Sequence, residues 1–591
     1  MTKRGPRARA TPGRSRRTTA GPSASEVPAE RNLAAVAVPI SVEAIAWAAV
    51  IGFALALRFA SLDHVPFSAG ESARAFNAWL VSEGNVPAGW QGDATAALTS
   101  YLFRIFGSGE TVARIIPAAG GMALVVSLWF ARRFVGRGAA LLAGTFIAFS
   151  PLAVHTSRSG LGFALGAFLS MVMVLSLLTY LEKPRPLPIV ALSAAFGLGL
   201  ASDAVATSTA FALVVFLAIE AAWRRGGTVS EALATFRKTA DHWRPAALTL
   251  AAVLLLGVVQ FGTNVDRLSL PGVRQWADMF ALPGDDLPWH YQLSLLVGYE
   301  WPLLLGGAAG YLVLVHRWVT ASRAPSLTQR LLLAWATVAL FVVAFSTQRQ
   351  SGQIVLLLLP LSLLAATLIE EAVSNVDWGV LKRWWPTVAL ALALTTYALV
   401  QLSRWAREGG HISGSEQAFL VLALLGAAAI LAGGFYYLGR NGLTLALPVA
   451  AALALPFLVH SSLSLGFGDG TEFAADARFT SRIEPFRAEV ARAGEERGLP
   501  VAVDPQLRDA LGWPLRDSPV GFGDPQAGSA VVTEAGREPP AGFAPLGGPW
   551  RVTQGWAPRS FDILPAWRWL AHREPYGNLS TMDVQILVPT Q

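Results

Sequence analysis

The chain has 591 residues, 53% hydrophobic and only 14% charged, with a mean hydropathy of +0.46. Soluble globular proteins carry about 25% charged residues, so this composition describes a membrane protein and excludes a soluble enzyme, a disordered scaffold and a collagen-like secreted domain. Cysteine is absent, which removes disulfide frameworks, thiolate metal sites and cysteine nucleophiles. Of the net charge of +7, residues 1–32 supply +6 through eight Lys/Arg against two Glu. The remainder is nearly neutral, so the pI of 9.9 gives no ground for a nucleic-acid partner.

Residues 1–32 are rich in Arg, Pro, Ser, Gly and Ala without apolar periodicity, which predicts a disordered, basic cytoplasmic tail. About thirty polar residues precede the first apolar run, unlike a secretory signal. From 33 to 463 the chain shows thirteen apolar segments of roughly spanning length, at 41–60, 112–131, 138–154, 161–181, 187–201, 204–222, 245–262, 294–315, 331–346, 353–373, 385–402, 417–438 and 443–462. Threaded from a cytoplasmic N-terminus, the six inside loops hold sixteen Lys/Arg, while the longer outside loops are poorer in them, as the positive-inside rule requires. The predicted fold is a polytopic α-helical membrane protein of about 13 transmembrane helices in the plasma membrane. Odd parity places residues 464–591 outside the cytoplasm. That stretch, with twelve Arg, no Lys and sixteen Asp/Glu, reads as a small extracytoplasmic α/β domain. Its predicted elements are a helix over 476–497, strands at 501–504, 529–533, 550–556 and 582–588, and a helix over 565–574.

The first outside loop, 61–111, is far longer than joining two helices requires. Segments 72–82 and 94–106 predict short amphipathic helices at the membrane surface, with Glu71 just before the first. A carboxylate there suits the general-base task; equally, it suits the N-terminus of a helix dipole. Arg74 and Asp93 belong to the same loop. The segment FSPLAVHTSRSGLGF (149–163) brings His155 and Arg158 to the outer interface, STQRQSGQI (346–354) brings Arg349, and Glu300 lies near the outer end of the eighth segment. Ionisable groups at membrane depth are costly and therefore candidates for function. Arginine suits a phosphate through its bidentate fork. Arg158 and Arg349 also have a plain reading as side chains snorkelling to head-groups, and Asp203 as a helix-end cap. A divalent ion beside the outer carboxylates finds no supporting ligand spacing, and GGAAG (306–310) reads as a close-packing surface.

The ordered set of an apolar span, a long loop with an acid at an interfacial helix, ARIIPAAGG (113–121), RRFVGRGAAL (132–141) and SPLAVHTSR (150–158) resembles the polytopic glycosyltransferases of the GT-C class. Within that class it resembles the dolichyl-phosphate-mannose protein mannosyltransferase-like superfamily (family 39), and there the flippase-activity-associated proteins. Segments 289–310, 512–517 and 565–574 extend the likeness over residues 40–590. The resemblance implies a GT-C-like fold and a polyprenyl-phosphate-sugar donor used at the outer face, with a lipid, glycan or protein acceptor and membrane lipids as the other partners. It matches Glu71, the candidate catalytic residue, to the second residue of the family's first-loop acidic pair, and Arg158 and Arg349 to the arginines after the third segment and before the Pro360 segment. Arg74, Asp93, His155 and Glu300 complete the substrate-binding set.

Three positions depart from the family pattern. Gly70 stands where the loop's Asp-Glu pair has Asp, SGLGFALG (159–166) lacks an aspartate, and Ser202-Asp203 replaces a Lys-Glu pair. The sequence therefore supports a glycosyltransferase, with a catalytically degenerate relative that handles lipid-linked sugars or scaffolds envelope enzymes as the alternative. A secondary transporter is disfavoured by the lack of a clear internal repeat.

Overall fold

The computed structural model describes residues 41–590 apart from 88–89, 91, 224–239, 265–268, 284–286, 321–324, 412, 469–471, 496–497, 524–527 and 557–562. The basic segment 1–32 lies outside the described residues. The chain divides into two compact units, 1–45 and 46–591, and the candidate site lies in the second.

Helix α1 (Val42–Phe59) is followed by α2 (Ala69–Ser82) and α3 (Ala94–Phe106), which occupy the first long loop. Next come α4 (Glu110–Val135), α5 (Arg137–Phe149), α6 (Pro151–Arg158), α7 (Phe163–Glu182), α8 (Pro186–Leu200), α9 (Ala204–Trp223) and α10 (Ala240–Val258). The short α11 (Pro271–Asp278) and α12 (Tyr291–Tyr299) precede α13 (Trp301–Thr320), α14 (Leu327–Phe345), α15 (Val355–Ser374), α16 (Trp378–Arg407), α17 (Gly414–Leu438) and α18 (Leu443–Phe467).

This is an integral membrane protein, with ten described helices long and apolar enough to span, or eleven if α5 and α6 form one broken span. Among the described residues, three of the thirteen expected segments, 138–154, 187–201 and 245–262, fall outside the set of single long apolar helices. Segment 138–154 is bent by 58° because Pro151 has no amide hydrogen to continue the α5 ladder. Segment 294–315 is interrupted at Glu300, whose φ/ψ of −126°/24° is non-helical, two residues before Pro302. Helix α8 has only 15 residues, and α10 opens on the polar ADHWR; these two pack along one another.

Helix α15 is the buried centre of the bundle, packed by α5, α13 and α14. The small-residue stripe of α13 has the packing role its sequence suggests. A Cβ on Gly310 would lie 2.5 Å from the Leu364 carbonyl oxygen, so only glycine permits this approach.

Beyond α18, residues 478–589 carry a seven-stranded mixed sheet: β1 (Arg478–Phe479), β2 (Val501–Val503), β3 (Val520–Phe522), β4 (Ala530–Glu534), β5 (Phe543–Pro545), β6 (Trp550–Trp556) and β7 (Leu579–Pro589). The order is β1-β6-β7-β4-β2-β3, with β5 also on β7; β2 is parallel to β3 and β4, and the other pairs are antiparallel. Helices α19 (Ile483–Glu495), α20 (Arg508–Leu511) and α21 (Ile563–His572) accompany it. The helix expected from 476 begins only at Ile483, because 478–479 is taken up as an edge strand. Residues 552–553 and 555–556 of β6 and 586–588 of β7 are buried in consecutive runs, and these apolar runs account for the strands that sequence identified. The three-residue β3 and β5 are too short to show a period.

Two aromatic anchors fasten this sheet to the helices. Trp513 packs between Phe67 and Phe103, with ring centroids 5.6 Å away on both sides, and Ser72 Oγ donates to Ala510 O at 2.6 Å. On α21, Trp567 Nε1 donates to Leu402 O at 2.9 Å, while Arg568 donates to Ala406 O and Arg407 O at 3.0 and 2.6 Å. That arginine satisfies the last carbonyls of α16. The first contact matters for function, because it braces α2.

Candidate functional site

The entry to α2 is built by a capping box. Ser68 Oγ accepts from Glu71 N at 3.2 Å, and Glu71 Oε2 accepts from Ser68 N at 3.0 Å, the reciprocal arrangement that S-x-x-E encodes. Glu71 therefore sits inside the first turn of α2, not before it. Arg114, one turn into α4, donates from Nε to Glu71 Oε1 at 2.9 Å and from Nη2 to Oε2 at 3.0 Å. The Gly160 amide adds a bond to Oε1 at 2.8 Å. Each carboxylate oxygen thus accepts two hydrogen bonds, which fills its lone pairs. Burial alone would raise this carboxyl, but the Arg114 charge, its hydrogen bonds and the two amides outweigh burial and hold it down to about 2. In this geometry the four hydrogen bonds leave no lone pair of Glu71 facing open space. Glu71 is a positioning residue that ties α2, α4 and the 159–162 turn together.

The other expected residues divide between structural clamps and the cavity. Arg158 is buried, with Nε on Gly466 O at 2.9 Å, Nη1 on Leu57 O and Ala60 O at 3.1 and 2.8 Å, and Nη2 on Ser61 O at 2.9 Å. Its guanidinium lies 4.0 Å from the Phe467 ring, so it caps the ends of α1 and α18. His155 is buried on α6 beside this clamp. Glu300 Oε1 accepts from Ser150 Oγ and from Leu152 N at 3.0 Å, stapling the α12–α13 break to the α5–α6 break. Arg349 Nη1 donates to Leu287 O at 3.0 Å. Asp203 caps α9, accepting from Val205 N and Ala206 N at 2.8 and 3.0 Å, as its cap reading anticipated.

The cavity lies between α2, the 159–163 turn, α9, α11 and the 346–354 segment, and has a volume of about 550 Å³. Of the seven residues expected at a site, Arg74 alone is in its wall. It points one Nη2 at Asp93 Oδ2, 2.5 Å away, and its buried Nε has no protein partner. Asp93 stands behind it as the N-cap of α3, accepting from Ala96 N at 2.9 Å, with Gln275 Nε2 at 3.4 Å from Oδ2. The left-handed Gly162 (φ +94°) closes the turn over this pair; its Cβ position lies 3.1 Å from Arg74 Nη2.

Four glutamines that sequence reasoning passed over complete the polar lining: Gln275, Gln348, Gln350 and Gln353. Asp278 is also in the wall. A signal existed in the QRQSGQ run, yet attention to charge selected its arginine. The near-extended backbone there, with Gln350 at φ/ψ −123°/140°, sends neighbours to opposite sides. Gln348 and Gln350 consequently reach the cavity, and Arg349 turns to Leu287. Gln353 is held by Gln292 Nε2 and by donating to Gln348 O at 3.1 Å. Carboxamides both donate and accept, which suits a ligand rich in hydroxyls, and a guanidinium in the wall suits an oxyanion.

Gly70, where the resemblance leads one to expect an aspartate, lines the cavity too. A Cβ there would meet only Leu161 Cδ2 at 3.5 Å and Ser68 Oγ at 3.9 Å, so a side chain fits, but none is present. Asp476 is open to solvent though ringed by protein; burial, and then the Glu71 charge, push its carboxyl up against the pull of Arg478. It is not part of the cavity wall. Among the described residues no three His, Asp or Glu side chains converge as a metal site.

No curated protein matches the chain in sequence. Residues 94–236 match the dolichyl-phosphate-mannose-protein mannosyltransferase family. In three dimensions the chain is similar to ArnT from Cupriavidus metallidurans bound to undecaprenyl phosphate, with a TM-score of 0.52 and 18% identity over 83% of this chain and 93% of that one. ArnT from the same organism in the apo state gives 0.49 at 19% identity, over 81% and 87%. The archaeal oligosaccharyltransferase AglB from Archaeoglobus fulgidus, in complex with an inhibitory peptide and a dolichol-phosphate, gives 0.43 at 14% identity, over 80% and 63%. The chain is thus a polytopic helical membrane protein with a C-terminal mixed-sheet domain, in the fold that ArnT shares.

Proposed function

We propose that this protein is a membrane glycosyltransferase that moves a sugar from a polyprenyl-phosphate donor to a lipid, glycan or protein acceptor. The reaction takes place at the extracytoplasmic face, with the N-terminus cytoplasmic and residues 464–591 outside, a reading supported by the distribution of Lys/Arg and by the odd parity that results when α5 and α6 are one broken span. The carrying observation is the cavity of about 550 Å³. It opens beside the segment that matches the mannosyltransferase family, and its wall combines one guanidinium with four carboxamides. Arg74 holds the donor phosphate, with Asp93 orienting it. Gln275, Gln348, Gln350 and Gln353 hold the sugar hydroxyls. Glu71, Arg114 and Arg158 keep the walls in place. The undecaprenyl phosphate bound by ArnT supports the donor class.

The experiment is sugar transfer and donor hydrolysis from radiolabelled undecaprenyl-phosphate mannose and glucose, using the full chain in nanodiscs. Turnover that falls in Arg74→Met with a weakened donor Kd supports the assignment. Absence of both binding and turnover with every donor refutes it. One observation favours a binding-only relative as the second reading: Gly70 offers no carboxylate, and Glu71 is saturated. Donor binding without turnover is its signature.

A further inference from the structure

We propose that Asp278 is the catalytic base of the transfer, a proposal that rests on the glycosyltransferase reading above. Among the described residues that line the cavity, Asp278 is the only one bearing a carboxylate. The acids of the first long loop are engaged elsewhere. Glu71 has four hydrogen bonds on two oxygens. Asp93 gives Oδ1 to Ala96 N and Oδ2 to Arg74 and Gln275. Asp278, by contrast, accepts no side-chain hydrogen bond among the described residues; its one ion-pair partner there is Arg274, at 3.9 Å, and its side chain is 61% exposed.

Position supports the role as much as availability does. Gln275 and Asp278 are three residues apart on α11, so they share a helix face with Cβ atoms about 5–6 Å apart. Because Gln275 reaches the same Asp93 oxygen that holds Arg74, that face is turned toward the guanidinium. Asp278 therefore stands about one helical turn from the phosphate-holding end of the cavity. The helix is firmly seated. A Cβ on Gly272 would come within 2.7 Å of Gly199 O, and Met279 O accepts from Thr347 N and Gln348 N at 2.7 and 3.1 Å. A base needs such a rigid mount to be held at its reacting atom.

In the step, the acceptor hydroxyl oxygen forms a bond to the anomeric carbon. The bond from that carbon to the phosphate oxygen breaks, and its electron pair leaves with polyprenyl phosphate beside Arg74. The acceptor proton passes to Asp278. When water replaces the acceptor, the same step is donor hydrolysis, which reads the base without knowledge of the natural acceptor.

The test uses the full chain in nanodiscs with radiolabelled undecaprenyl-phosphate mannose and glucose, following donor cleavage and donor Kd. Asp278→Asn is expected to lower turnover by about 10²- to 10⁴-fold, the usual worth of general-base catalysis, with donor Kd and Tm little changed. Asp278→Glu should recover part of the rate. In the Asp278→Asn background, Gly70→Asp should also recover turnover, because it restores a carboxylate on another wall of the same cavity where its Cβ fits. Turnover of Asp278→Asn within about twofold of wild type overturns the proposal and leaves the glycosyltransferase reading intact. Loss of donor affinity in step with turnover overturns it as well, by making Asp278 a binding contact. A wild-type chain that binds donor but never cleaves it overturns both.

Discussion

Replacement of Glu71 by glutamine separates a positioning carboxylate from a catalytic one. The side chain keeps its shape, but one oxygen becomes an NH₂ group. If that group takes the Oε1 position, it faces two donors, Arg114 Nε and Gly160 N; at the Oε2 position it faces Arg114 Nη2 and Ser68 N. Either orientation loses two hydrogen bonds and leaves the buried Arg114 charge uncompensated. Holding the carboxyl at about 2 instead of 4.5 corresponds to about 3 kcal/mol of stability. Breaking one side of a buried ion pair costs about 3–5 kcal/mol, so the two routes agree. The sign follows from a depressed carboxyl. The stabilisation is fully present above about pH 4.5 and is lost as pH falls toward about 2. Thermal unfolding in detergent, followed by tryptophan fluorescence, should show a lower Tm for Glu71→Gln at pH 7. The gap should narrow as the wild type loses its own stabilisation in acid. Donor turnover should decline no further than the folded fraction does. An unchanged Tm with turnover abolished would refute this reasoning and return Glu71 to the chemistry.

Three further outcomes test the surrounding architecture. Arg158→Met removes the donor from four backbone carbonyls, each worth about 1–3 kcal/mol when left unmet in a buried place. It should therefore lower Tm strongly without weakening donor binding by the folded protein; a weaker Kd at unchanged Tm would instead make it a phosphate ligand. Gly162→Ala places a side chain at φ +94° and within 3.1 Å of Arg74 Nη2. The expected cost is about 1 kcal/mol, with a donor Kd raised beyond what that loss explains, measured by isothermal titration. Trp513→Ala empties the space between Phe67 and Phe103 at about 3–5 kcal/mol, and should speed limited proteolysis of residues 464–591. Unchanged digestion would mean that this anchor does not hold the sheet.

Much of the framework is written locally. Hydropathy over about twenty residues located the long helices between 41 and 463 but not the short α11, and amphipathic periodicity placed α2 and α3 to within a few residues. Short apolar runs between helical and turn segments marked β2, β4, β6 and β7. An average over apolar residues does not register the breaks at Ser150–Pro151 or at Glu300, beside prolines that lack the amide hydrogen to continue the ladder.

The site lies beyond such reading. Glu71 and Arg114 are 43 residues apart, and nothing in their neighbourhoods announces that one will neutralise the other. Arg158 has the residue type and place of a phosphate ligand, yet tertiary packing surrounds it with carbonyls from α1 and α18. Conversely, the glutamines and Asp278 carry no individual signature and acquire meaning only by converging on one cavity. Sequence determined the class of protein, its helices and the chemistry available to it, because these depend on composition and on neighbours within a turn or a strand. Tertiary structure decided which polar groups are saturated and which remain open. A buried charge must find its partner wherever in the chain that partner lies, and only the groups left over can meet a substrate.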